Sequence, residues 1–135
     1  MKNIIVYAAL IFAFASCSPA SDRKVEEAQE SIRDDIKDQK DKVVKDLQVL
    51  RDDINDRLDK VSGKIDKATG DSKSELESVK SDLIVAREKV EKRLDEIDKS
   101  SDETWDDIQQ SSRNTADEVK VEFEKLKERL KEKLN

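Results

Sequence analysis

Between Val25 and Ile65 the apolar residues fall at Val25, Ala28, Ile32, Ile36, Val43, Leu47, Leu50, Ile54, Leu58, Val61 and Ile65. The intervals repeat as three, four and four, eleven residues for three helical turns, with Gln39 the one polar member of the series. Such a repeat advances about 3.67 residues per turn, so the stripe stays on one helical face and drifts with a right-handed hand. A helix carrying it cannot bury its apolar face alone. It needs another helix, another chain or a lipid surface.

Composition supports long helices over a globular core. The chain has 135 residues, 44% charged and 35% apolar, with 4% aromatic, one Pro and two Gly. Much of the apolar content lies in the first sixteen residues. High charge is compatible with disorder, but disorder does not require the strict helical period seen here. The formal net charge is −6. Lys2 is the only charge before Cys17, so the remainder is more acidic by one. An acidic chain with no basic block and no interleaved aromatics lacks the footprint of a nucleic-acid binder. The same sign opposes strong attraction to anionic lipid.

The inventory for catalysis is poor. There is no histidine, the only tyrosine is Tyr7, and Cys17 is the only cysteine, so no intramolecular disulfide forms. No glycine-rich loop can cradle a phosphate. Three carboxylate groups sit at helical neighbour spacing: Asp34, Asp35 and Asp38; Asp52, Asp53 and Asp56; Asp106 and Asp107. They read as solvated acidic faces interleaved with Lys and Arg, since no Gly-bearing loop offers the 6–8 oxygens that calcium takes. The sequence therefore predicts a non-enzyme with no cofactor, no metal centre and no small-molecule substrate. Trp105 lies on the apolar stripe, where it fills a core layer, with a membrane-interface anchor or a partner contact as the alternatives.

The first residues form a leader. Met1-Lys2-Asn3 is a short positive start, Ile4 to Phe14 is apolar, and Ala15-Ser16-Cys17 follows, the pattern of a secretory signal. The run is about half the ~20 residues that span a bilayer. Phe14-Ala15-Ser16-Cys17 resembles the lipobox of bacterial lipoproteins, with Phe14 where Leu is commoner. The resemblance implies cleavage between Ser16 and Cys17, acylation of Cys17 and, because Ser18 and not Asp follows, sorting to the outer membrane. The alternative is an ordinary signal cut after Ala15, with Ala13 and Ala15 as the A-x-A site. Acyl chains contribute about 0.8 kcal/mol per buried CH₂, so a residue with two or three of them is a stable anchor.

The mature chain then reads as a tether over 17–21, a first helix over 22–68, a turn at 69–71, and a second helix over 72–135. Ser21 or Asp22 caps the start. Gly63 lies off the stripe, and the helix is expected to pass through it. Gly70 supplies the left-handed conformation that ends a helix, and Ser72 with Glu75 fits a capping box. The second helix carries the repeat on through Leu83, Ala86, Val90, Leu94, Ile97, Trp105, Ile108, Ala116, Val119, Phe123 and Leu130. The stripe thins at Ser101 and Ser112, and a kink or second turn near 99–102, with Ser100 and Glu103 as a second capping box for a fresh helix, is a second option there. The expected fold is all-α: a long antiparallel helical hairpin or coiled coil with an eleven-residue repeat, with room for a third helical segment.

From Ser21 to Asn135 the chain resembles the small bacterial coiled-coil proteins of a stress-response family, first defined in cyanobacteria and common as lipoproteins in Bacteroidetes. Its repeat also resembles that of apolipoproteins, which punctuate theirs with proline, absent here after Pro19. The murein-bound outer-membrane lipoprotein is another lipidated helix, but it ends in lysine, whereas this chain ends Lys133-Leu134-Asn135. These resemblances imply a lipid-anchored, non-catalytic envelope protein with a structural, stress-protective or interaction role. Its expected partners are the membrane through Cys17, and a second copy or another helical protein. The alternatives are an apolipoprotein-like binder of lipid surfaces, or an adaptor that docks a helical partner along the weak patch or the C-terminal end.

Overall fold

The computed structural model describes residues 19–134. The expected leader over 1–16 and Cys17, the expected lipidation position, lie outside the described residues. Three helices account for the chain: α1 (Pro19–Ile65), α2 (Gly70–Asp98) and α3 (Trp105–Leu134). Among the described residues there is no strand, and no helix is long and apolar enough to cross a membrane. The fold class is all-α, with the third segment realised.

Several boundaries differ from the sequence expectation. Helix α1 is already formed at Pro19, the first described residue, so the expected tether is helical over 19–21. The first break comes at residues 66–69, and Gly70 opens α2 with φ +61, the left-handed geometry expected of it. Thr69 takes the N-cap position in extended conformation and makes no side-chain cap bond. Ser72 therefore sits inside the helix and not at its cap.

The larger difference is at 99–104, where the expected second helix divides in two. No glycine or proline is needed. Ser100 Oγ donates to the Ile97 carbonyl at 2.7 Å, and Thr104 Oγ1 accepts from the Ser101 N–H at 3.1 Å. Short hydroxyl side chains offer the backbone these local alternatives to the helical ladder. Asp106 and Asp107 then lie in the first turn of α3, where carboxylates suit the positive helix start.

The described residues belong to two compact units, divided after Ile32. Residues 19–32 are helical throughout, and every side chain from Arg23 to Ile32 is exposed. From Arg33 onward the chain forms an up-down-up bundle. Helices α2 and α3 run antiparallel: Asp82 pairs with Arg129 at 3.0 Å and Lys89 with Glu122 at 2.9 Å. One step further, Arg93 Nε donates to Thr115 Oγ1 at 2.8 Å. Helices α1 and α3 run side by side in the same direction, with Val43 beside Ala116 and Leu50 beside Phe123.

The core is the repeat seen in the sequence. Leu47, Ile54, Leu83, Ala86, Val90, Trp105 and Val119 have no exposed surface. Val43, Leu50, Leu58 and Val61 complete the α1 seam, while Ile36 and Ile65 pack against it half-buried. Each fully buried side chain of this size contributes about 1.5–3 kcal/mol relative to exposure. Within the described residues this seam is covered by protein. Ser112 is also fully buried, and its Oγ has no hydrogen-bond partner, so the thin place in the stripe is a polar gap inside the core.

Candidate interaction surfaces

Trp105 is the aromatic centre of one end of the bundle. Its indole is fully buried, so no ring surface is open to a partner in this fold. Trp105 Nε1 lies 3.5 Å from Gln39 Oε1, and Gln109 Nε2 donates to the same oxygen at 2.7 Å. Lys40 Nζ stands 5.6 Å from the ring centroid and bonds the Ser100 carbonyl and Asp102 Oδ1, each at 3.4 Å. These bonds tie α1 to the 99–104 loop and to the start of α3. A polar group placed at one level of an apolar seam fixes register, because a slipped helix leaves it unpaired. Sequence reasoning missed Gln39, Lys40 and Gln109 as partners of Trp105. The available signal was Gln39 itself, the one polar residue in an otherwise apolar series.

The carboxylate groups stay apart. Among the described residues no group of three or more acidic or thiol side chains is placed to hold a metal ion. Asp52 pairs with its neighbour Arg51 at 3.1 Å. The clear electrostatic shifts are on the surface. A hydrogen bond from Lys99 to Asp95 holds the ammonium above its ordinary value, and one from Lys131 holds Glu128 below its own. The Lys99 contribution is complete below the ordinary lysine range and fades as pH rises through its raised value. The Glu128 contribution is complete above the ordinary carboxylate range and fades as pH falls through its lowered value. Neither group changes charge near neutral pH, so neither is a switch.

Two kinds of surface remain open. The first is apolar: Val25 and Ile32, members of the repeat, are 56% and 58% exposed. The second is grooved. Helices α1 and α3 line three adjoining depressions, from Lys42 and Arg113 at one end to Lys60 and Lys127 at the other. Val49 sits in the middle one and is 54% exposed. A fourth depression lies between α2 and α3, around Val85 and Leu126. The two ion pairs at Lys89 and Arg129 bridge it.

No protein family, characterised protein or solved structure matches this chain.

Proposed function

We propose that this chain is a non-catalytic, lipid-anchored helical protein of the bacterial cell envelope, held at the outer membrane through an acylated Cys17 and acting by structural or protective contact with other protein. The observation that carries the anchor is Phe14-Ala15-Ser16-Cys17, which puts the only cysteine of the chain at the end of an apolar leader. The chain is helical at Pro19, so a rigid element lies within two residues of the proposed acylation site. Burial of the seam from Val43 to Val61 inside the bundle supports protein contact over an apolipoprotein-like role, because a lipid-binding helix needs that face free.

Expressed as the full chain in a diderm host fed an alkyne fatty acid, the protein is expected to carry the label and to sediment with membranes. Cys17→Ser is expected to lose both. Labelled or membrane-bound Cys17→Ser protein would overturn the anchor, and an unlabelled wild-type chain would do the same.

A further inference from the structure

We propose that the segment Arg23–Ile32 of a second copy docks in the groove between α1 and α3. This deepens the protein-contact reading above and does not depend on the anchor.

The groove offers what a fourth helix needs. It follows α1 from Lys42 to Lys60, about 27 Å at helical rise. Val49 is more than half exposed there, flanked by the buried Leu50 and Phe123. Basic side chains outnumber acidic ones along its three depressions, seven to five, on a chain whose formal net charge is −6. Most of these cations are free. Among the described residues no ion pair crosses from α1 to α3 along the groove, and Lys42, Lys45, Lys60 and Lys120 have no carboxylate partner. The α2–α3 groove differs on this point, since two of its three cations, Lys89 and Arg129, are already paired across it, leaving Lys125.

The segment is the complement. Val25, Ala28 and Ile32 lie at helical spacing and are exposed. Glu26, Glu27 and Glu30 outweigh Arg23 and Lys24, and none of the five has an ion-pair partner among the described residues. Ten residues extend about 15 Å, which fits the groove. An unbroken helix cannot return on itself, so the occupant belongs to a second copy. Unpaired lysines facing unpaired glutamates set orientation and partner choice, and the three apolar residues cover Val49. So short an interface is weak in dilute solution and gains when copies share a surface.

The test mixes heavy-isotope and normal full-length chains, each carrying a photo-crosslinking residue at position 32, and maps adducts by mass spectrometry. The expected adducts join opposite isotopes and fall on peptides around Lys45–Asp53 and Lys120–Lys127. Val49→Glu is expected to lower their yield about tenfold. Val121→Glu, a valine equally exposed but outside the groove, is expected to leave it unchanged. Lys45→Glu with Lys120→Glu, both exposed, is a second route to the same loss should Val49→Glu reduce helicity. Adducts confined to one isotope, adducts on α2 or on the segment itself, or yields indifferent to both groove variants would overturn the proposal. Loss of the adducts with labelling of Cys17 intact would remove this contact and leave the anchor standing.

Discussion

Trp105→Ala is expected to lower the unfolding free energy by about 3–5 kcal/mol, the range for removing a large buried aromatic side chain. Small domains hold about 5–15 kcal/mol in total, so this is a large share of the reserve. Two losses combine. The ring is fully buried and leaves a cavity where α1, the 99–104 loop and α3 meet. Its removal also withdraws one donor from Gln39 Oε1 and the π face from Lys40. Urea unfolding followed by helicity measures the change. An unaltered slope with a lower midpoint locates the effect in the folded state. A loss below about 1 kcal/mol would mean that the indole does not fill this end of the core.

Leu83→Asp is expected to be more severe and to abolish cooperative folding at neutral pH. Leu83 lies in the middle of α2 with no exposed surface, in the apolar cluster that includes Ile54 and Val119. A carboxylate there is buried without a partner, and the effective cost of such a charge is several kcal/mol beyond the lost packing. The pH dependence provides a check. Burial raises the folded-state pKa of the new carboxyl above its unfolded value, so the folded state binds the proton more tightly. Stability then rises as pH falls through that raised value. Helicity that recovers on mild acidification is the expected signature. A variant as stable as the parent at neutral pH would show that position 83 is wet, contrary to the bundle.

Both predictions rest on features with different histories in the sequence. Leu83 was legible from periodicity alone, as were the α1 seam from Val43 to Val61 and the run from Val119 to Leu130. An eleven-residue repeat reports which face is buried without reference to what buries it. The same property explains the main blind spot. Val25 and Ile32 carry the repeat as faithfully as Leu47 and Ile54, yet the first two are exposed and the last two are enclosed. Periodicity cannot say where a covering helix stops.

The division of the second helix was visible as a thinned stripe, a cluster of hydroxyl residues and a capping box at Ser100 and Glu103, with no glycine or proline to enforce it. It depends on Ser100 and Thr104 taking over backbone hydrogen bonds, a choice settled by packing and not by any obligatory breaker. The pairing of Gln39 with Trp105 and Gln109 joins residues 66 and 70 positions apart. Local sequence does not encode that distance. Ser112 reads as a weak position in the stripe, whereas in the bundle it is a buried hydroxyl without a partner. The free lysines of the α1–α3 groove are likewise a property of two helices together, since each looks like ordinary surface charge on its own helix.

The central claim is that the repeat from Ile36 to Ile65 is covered by the chain's own helices and not by lipid. Amide hydrogen exchange of the protein in lipid-free buffer, resolved along the chain, tests it directly. The expected result is strong protection from about residue 40 to the end of α1 and through the middles of α2 and α3, with fast exchange before Ile32. Added vesicles should leave that pattern unchanged. Uniformly fast exchange in buffer, with protection of α1 gained only on vesicles, would contradict the bundle and make a lipid surface the partner of this repeat.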